Sequence, residues 1–363
     1  MTISFVYDII LASDKEIMRN EAIANLLKEF KKLSISERNR FLSAVESASS
    51  PMDDKAFVDM RFANGIVCPH CESKGKGVTR NGKSETGRQR YLCKHCGKRF
   101  TVSTNGVTYN SQKSVKVWKK FLSCMMEGHS VRKTAEECGI HFNTAWRWRH
   151  KVLDSLKSIM DSIEMSGIVE ADETYFPVSY KGNHKKNKSF NMNRKSHKRG
   201  KSIHKRGLSR EQVCVPCAVN RNGKSVSQIA TLGQPSRKVI TSVLGNHVAY
   251  GSVLCTDNSS AYCGLVAENA LEQIKLSKAK RVKGIYHIQH INNYHGKLKG
   301  FIDRFNGVST KHLNNYLLWN NFLNYAKETT TQKMSILINH VLTTNCYTRV
   351  EEISQRPALP LVA

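Results

Sequence analysis

Apolar positions recur at helical spacing in "AIANLLKEFKKL" and "SERNRFLSAVESA", within residues 1–60. Nothing chemical lies in that stretch, which reads as a helical packing or interaction segment. The pattern changes further on. "SGIVEADETYFPV" (166–178), "EQVCVPCAVNRNG" (211–223), "SVSQIATLG" (225–233) and "GSVLCTDNSSAY" (251–262) are β-prone runs, with turn chemistry at "NRNG". A helical segment, "SRKVITSVLGNHV", separates the last two. Strands followed by a helix and another strand predict a mixed α/β domain. "FNGVSTKHLNNYLLWNNFLNYA" has aromatic and leucine positions at 3–4 spacing, so it is expected to close that domain, with Trp319 as packing. Just before it, "HINNYHGKLKGF" opens a helix whose Asn292, His295 and Lys299 fall at i, i+3 and i+7, on one face.

Charge narrows the class. Lys and Arg number 57 against 29 Asp and Glu, a net +28 over 363 residues. An excess of that size suits a dense polyanion, and nucleic acid fits better than a membrane surface, since no basic amphipathic helix with a broad apolar face is evident. No run of 18 apolar residues exists to span a bilayer. The start, "MTISFVYDIILASDKE", lacks a basic n-region and breaks its apolar run at Asp8, so no signal peptide is expected. Between the first two strands, residues 181–210 hold twelve Lys or Arg and no Asp or Glu. Such a run is a solvated loop by default, but beside DNA each neutralised phosphate releases counterions. Lys185, Lys186, Arg194, Lys198, Arg199, Lys205 and Arg206 are its candidate contacts.

Eleven cysteines in a long chain argue against a secreted disulfide scaffold. Four have a better explanation. "CPHC" (Cys68, Cys71) and "CKHCG" (Cys93, Cys96) are two Cys-x-x-Cys pairs separated by 21 residues, the arrangement of a tetrahedral thiolate zinc site. Such a zinc is structural, with no open position for catalysis. His70 and His95 inside the knuckles are expected to face solvent. Cys214 and Cys217 lie three apart in a strand, facing opposite sides, and read as plain thiols.

"SVRKTAEECGIHFNTAWRWR" (130–149) fits a helix-turn-helix. Ala135 lets two helices approach, Gly139 takes the turn, and Ala145 and Trp148 face a core. His141, Asn143, Trp146 and Arg147 then face outward, toward a major groove.

Asp172 in "VEADETYF" and Asp257 in "VLCTDNSSAY" are carboxylates at strand ends, the type of group that holds divalent metal ions for phosphoryl chemistry. Glu170 shares a strand face with Asp172, whereas Glu173 points away and reads as solvent-facing or behind the ligands. Asn292 follows Asp257 by 35 positions, and Lys299 follows Asn292 by seven. With "CPHC…CKHCGKRF", "VEADETYF", "TDNSSAY" and "HIQHINNYHGKLKGFIDRFNGVSTKHLNNYLLW" in that order, the chain resembles bacterial insertion-sequence transposases, specifically the zinc-ribbon group numbered fifteen-ninety-five, over roughly residues 60–330.

The resemblance implies a ribonuclease-H-like core in which two Asp and a third polar residue hold two Mg²⁺ ions, with Mn²⁺ able to substitute. Asp172 and Asp257 match the acidic positions. Asn292 stands where the wider superfamily has Glu, and Lys299 matches the basic residue two turns later. An amide oxygen brings no charge, so weaker binding at the second metal is expected. His295 is an alternative third ligand or a DNA contact; otherwise it packs against Tyr294 and Tyr286.

The expected architecture is multidomain α+β. It comprises helices over 1–60, a zinc ribbon over 61–108, a helix-turn-helix over 109–160, a ribonuclease-H-like domain with a mixed sheet over 164–345, and a tail over 346–363. The expected activity is Mg²⁺-dependent hydrolysis at terminal inverted repeats followed by strand transfer into target DNA, by a homodimer or higher multimer on DNA in the bacterial cytoplasm, at the nucleoid. A DNA-binding regulator with a dead core, or a metal-dependent nuclease that does not join, are the alternatives.

Overall fold

The computed structural model describes residues 21–34, 37–38, 50–84, 87–182, 209–277, 282–324 and 328–361. The second N-terminal helical pattern falls largely outside them, as do Lys185, Lys186, Arg194, Lys198, Arg199, Lys205 and Arg206. In chain order, α1 (Glu21–Lys32) and α2 (Ser50–Arg61) precede a three-stranded sheet of β1 (Val78–Lys83), β2 (Gln89–Cys93) and β3 (Arg99–Thr101). Helices α3 (Val115–Met126), α4 (Val131–Glu137), α5 (Phe142–Ser155) and α6 (Lys157–Asp161) follow. Then come β4 (Ile168–Pro177), β5 (Gln212–Asn220), β6 (Ser225–Ser227), β7 (Thr231–Leu232), α7 (Arg237–Leu244), β8 (Val253–Thr256), α8 (Cys263–Glu268) and β9 (Glu272–Lys275). A short hairpin of β10 (Val282–Lys283) and β11 (Tyr286–His287) leads into α9 (Gln289–Asp303), α10 (Thr310–Leu323), α11 (Thr330–Thr343) and α12 (Val350–Ser354). None of the described helices is long and apolar enough to cross a membrane.

The chain divides into two compact units, one of residues 1–146 with 334–347 and one of 147–333 with 348–363. In the first, β1, β2 and β3 form an antiparallel meander. Tyr91 stacks on Phe100 at 5.4 Å, and Phe62 meets Tyr91 edge-on. That is little core for a free-standing module, which is why small folds of this kind need a staple. A second cluster gathers Phe57, Val102, Val115 and Leu342. Arg61 ties it together by donating to the carbonyls of Leu342, Thr344 and Thr104 and to Asn345 Oδ1.

Helices α4 and α5 are joined by a tight turn. Ser130 Oγ caps α4 by accepting from the Lys133 amide. At its other end Gly139 takes φ +58°, and the amides of Gly139 and Ile140 donate back to Glu136 and Ala135. This six-to-one closure needs a residue in the left-handed region, and glycine enters it without a Cβ clash. Ala135, Ala145 and Trp148 are buried, and His141, Asn143 and Arg147 are exposed, with Trp146 half-buried.

The second unit is built on a mixed sheet in the order β6-β5-β4-β8-β9, with β7 also pairing β5. Strands β4, β5 and β6 are antiparallel, and β4, β8 and β9 are parallel. The run 225–233 makes two short strands, not one, because the register against β5 shifts by one residue between Ser227 and Thr231; the amides of Gln228 and Ala230 still donate to Pro216 and Cys214, while the Ile229 amide donates to Asn314 Oδ1. One face of β5 presents Val213, Val215, Cys217 and Val219 to Ile291, Tyr294, Leu298 and Ile302 of α9 and to Leu313 and Leu317 of α10. Each such fully buried aliphatic side chain is worth about 1.5–3 kcal/mol of transfer free energy. Alternation sends Cys214 to the opposite face, also buried. Trp319 is buried in α10 and stacks on Phe322, as packing.

Candidate active site

The four ribbon cysteines converge: their sulfurs all lie within 4.8 Å of one another, with Cys68–Cys96 at 3.7 Å and Cys71–Cys93 at 3.6 Å. A tetrahedron with arms of about 2.3 Å has edges of about 3.8 Å, so the spacing is that of four thiolates around one zinc. The two knuckles repeat one backbone design. Cys68 O accepts from the Glu72 amide and Cys93 O from the Gly97 amide, with Glu72 and Gly97 both at positive φ. The Ser73 hydroxyl draws the Cys71 thiol down to about 6. His70 and His95 are exposed.

In the other unit the sheet register sets the carboxylates. Ile168 pairs with Val253 and Glu170 with Cys255 in the parallel ladder of β4 and β8. Continued by two residues, this brings Asp172 level with Asp257, just past the end of β8, on neighbouring strands about 4.8 Å apart. Asp257 Oδ1 accepts from the Ser259 amide, which turns the chain and holds the carboxylate. Burial, with the Asp257 charge adding to it, pushes Asp172 up to about 6.

Helix α9 covers this face of the sheet. Its buried stripe is Ile291, Tyr294, Leu298 and Ile302. Beside that stripe run Asn292, His295 and Lys299, of which Asn292 and Lys299 are exposed. His295 Nδ1 stands 3.9 Å from Asp172 Oδ2. Burial and the Lys299 ammonium hold the His295 imidazole down to about 4, so it is neutral, and its buried Nε2 has no hydrogen-bond partner. Glu173, on the opposite face of β4, is not in open solvent. Burial pushes it up to about 7, with Asp172 and Asp257 adding to the effect. Tyr262 lies beside it, yet neither Glu173 Oε1 nor Tyr262 Oη makes a hydrogen bond of ordinary geometry.

These observations test the fit of a divalent cation. Asp172 lies in the middle of β4, not at a strand end as the sequence suggested, and Asp257 just past the end of β8; with a neutral imidazole carrying an unused nitrogen they form an oxygen- and nitrogen-donor set that lacks positive charge. A cation there would reverse the upward shift of Asp172. The chemistry of these residues suits such an ion, although the ligand atoms of Asp172, Asp257 and His295 do not all lie within 4.8 Å of one another and would have to close around it.

Sequence reasoning missed the role of Glu170. Its carboxylate is 1% exposed, accepts the amides of His290 and Ile291 at 2.8 and 3.1 Å, and pairs with Arg221 at 3.1 Å. The only sequence signal was that Glu170 shares a face with Asp172.

Residues 164–322 match the model of the ISXO2-like transposase domain, and residues 64–97 match that of the InsA N-terminal domain, a zinc ribbon. A relative from Halobacterium salinarum, "Uncharacterized protein in transposable element ISH50", is 25% identical over 263 residues, spanning 71% of this chain and 85% of the relative. Together these support an insertion-sequence transposase of the IS1595 type, with the transposase-domain match covering residues 164–322 and the zinc-ribbon match residues 64–97. Among solved structures, one chain of a simian T-cell lymphotropic virus intasome in complex with PP2A regulatory subunit B56 gamma is 10% identical, covers 60% of this chain and 66% of its own, and has a TM-score of 0.25. One chain of a pre-cleavage Mos1 transpososome is 8% identical, covers 61% and 78%, and has a TM-score of 0.21. At those scores neither bears on this chain.

Proposed function

We propose that this protein is the active transposase of its insertion sequence, cutting DNA at the element's ends and joining the freed 3′-hydroxyl to target DNA. The observation that carries the proposal is the alignment of Asp172 with Asp257 across β4 and β8, under the helix face that brings His295 to 3.9 Å from Asp172. Under this proposal the α/β unit is a ribonuclease-H-like domain. Asp172, Asp257 and a third donor from α9 would hold two Mg²⁺ ions, or Mn²⁺ in their place. The ions supply activation of the attacking oxygen and neutralisation of the leaving one. The neutral His295, with its unused Nε2, competes with Asn292 for the third position. Lys299, one turn on, binds a phosphate oxygen and holds the scissile strand in line.

Sequence-specific contact falls to the turn between α4 and α5, in the role of a helix-turn-helix. Ala135 and Ala145 are small and buried there, whereas His141, Asn143 and Arg147 are free to reach base edges, with Trp146 at the margin. The zinc ribbon and the basic run 181–210 add phosphate contacts along the terminal inverted repeat or target. In this reading the protein acts as a dimer or higher multimer that pairs the two ends on DNA, in the cytoplasm and at the nucleoid.

The test uses a labelled duplex carrying the repeats that flank the gene, with Mg²⁺, and compares wild type with Asp257→Ala. Metal-dependent joined product from wild type, absent from the variant, supports the proposal. Tight DNA binding with no cleavage, even in Mn²⁺, would make the protein a DNA-binding regulator. Cleavage without joining would make it a nuclease.

A further inference from the structure

Asn292, His295 and Lys299 can act only if α9 keeps its register against β4. We propose that Glu170 and Lys181 are positioning residues that clamp α9 at its two ends, each with the charge that the helix end favours. This inference rests on the assignment of the α9 face to catalysis.

At the N-terminus, the first amides of a helix have no partner within it, and the end carries partial positive charge. Glu170 Oε2 accepts two of these amides, His290 N at 2.8 Å and Ile291 N at 3.1 Å. Oε1 lies 2.8 Å from His290 Nδ1, 3.1 Å from Arg221 Nη2 and 3.4 Å from His287 Nδ1. Arg221 in turn reaches the Ile285 carbonyl and His287 Nε2, which fixes the hairpin leading into the helix. Glu170, His287 and His290 offer three ligand atoms close enough for a metal ion. The Arg221 guanidinium, however, is 2.8–3.1 Å from those same residues and brings its own positive charge. Cation beside cation disfavours an ion there, and the cluster acts as a helix cap.

At the other end, Lys181 Nζ donates to the carbonyls of Phe305, Asn306 and Gly307 at 2.9, 3.0 and 2.8 Å. An ammonium has three N–H donors, so this one is fully engaged. Its partners form the turn that ends α9, where Asn306 and Gly307 take positive φ and the helix end carries partial negative charge. The first cation of the basic run 181–210 is therefore committed to the protein and not offered to phosphate.

Both clamps come from the β4 segment, and Asp172 lies between them. Glu170 to Asp172 is about 6.7 Å along a strand. From the capped amides to His295 is four to five residues of helix, about 6–7.5 Å. The two rises match, so holding the amides at Glu170 sets His295 beside Asp172. Asn292 and Lys299 then take their places one turn to either side.

The test compares full-length wild type with Glu170→Gln, Lys181→Met and Lys181→Arg by amide hydrogen exchange, by turnover on the labelled repeat duplex and by DNA affinity. Expected for Glu170→Gln is exchange at least about tenfold faster at His290 and Ile291, with a comparable loss of turnover. Lys181→Met is expected to loosen the turn at 305–307 and slow turnover, with Lys181→Arg restoring both. DNA affinity should stay within about twofold throughout, since neither side chain is free to meet DNA. Unchanged exchange and turnover in both Glu170→Gln and Lys181→Met would overturn the clamp. So would turnover that falls only together with DNA affinity and melting temperature. If the wild type itself cuts no DNA, the proposed function fails, and the exchange measurement alone decides the clamp.

Discussion

His295 Nδ1 lies 3.9 Å from Asp172 Oδ2, joining the helix that follows the β10–β11 hairpin to the central strand of the sheet. Burial and Lys299 keep that imidazole uncharged, so the contact is a neutral donor beside a carboxylate and not an ion pair. Replacing Asp172 by Asn is expected to lower strand transfer by at least about 100-fold, more than the effect usual for residues behind a metal ligand. His295→Ala and Asn292→Ala, assayed in parallel, identify the third ligand as whichever shows the larger rise in the Mg²⁺ needed for half-maximal joining.

Asp172 also predicts a pH dependence for metal binding. Its carboxyl is raised to about 6, and a ligand must be deprotonated to bind. Apparent Mg²⁺ affinity should therefore climb as pH rises from 5 to 7 and level off above. Calorimetric titration at three pH values checks this; affinity flat across that range would exclude Asp172 as a ligand.

The cysteine cluster should be a structural zinc site. Few aromatic residues close the ribbon core, and the sulfurs already stand at tetrahedral spacing. Purified protein should carry one zinc per chain by elemental analysis. Chelation, or Cys93→Ser, should cost the ribbon its fold, read as rapid exchange over residues 68–101. Undiminished protection after zinc removal would contradict this.

Two histidines make the α/β unit acid-sensitive. Burial, with Arg356 and Lys311 adding to it, holds His312 down to about 3, and His150, its ring tilted against that of His312 at 4.4 Å, is also held well below its ordinary value. Both stay neutral in the folded chain, while the unfolded chain takes up protons below about pH 6.5. The folded state is thus fully favoured above that pH and loses stability as pH falls toward 3. The loss is at most about 1.4 kcal/mol per pH unit for each histidine, and less for His312, which is not fully buried. Melting temperature should fall between pH 7 and 5, with a shallower slope in His312→Gln. An equal slope would show that other groups govern acid unfolding.

The Tyr294 hydroxyl donates to Asn321 Oδ1, which also accepts from Ser225 and Ser227. Tyr294→Phe leaves the amide oxygen with other donors, so denaturant melting should show a loss of about 1 kcal/mol, with joining activity retained. A loss of activity larger than the loss of stability would give Tyr294 a role the packing does not suggest.

Much of this was legible in residue spacing. The paired Cys-x-x-Cys motifs fixed the ribbon because ligand spacing is set locally by the knuckle. Alternation placed Glu170 with Asp172 and put Cys214 and Cys217 on opposite faces. The i, i+3, i+7 stripe put Asn292, His295 and Lys299 along one side of α9, and they do run together there, beside the apolar stripe of Ile291, Tyr294, Leu298 and Ile302 that meets the sheet. The clamps were not legible: Lys181 looked like one more cation in a charged run, and its carbonyl partners lie more than 120 residues away. Arg221 and His287 carry no local motif either. Glu173 was assigned by alternation to solvent or to a place behind the ligands, but the strand's second face is itself covered, by Tyr262 among others.

The central claim is that Asp172, Asp257 and α9 surround one metal-binding centre. Iron-mediated backbone cleavage tests it most directly: Fe²⁺ replaces Mg²⁺, ascorbate and peroxide are added, and the cut sites are read by mass spectrometry. Cuts clustered near 172, 257 and 292–295, suppressed by excess Mg²⁺ and lost in Asp257→Ala, are the predicted result. Cuts confined to other regions, or a pattern at those three segments unchanged by Mg²⁺ and by the substitution, would contradict the account.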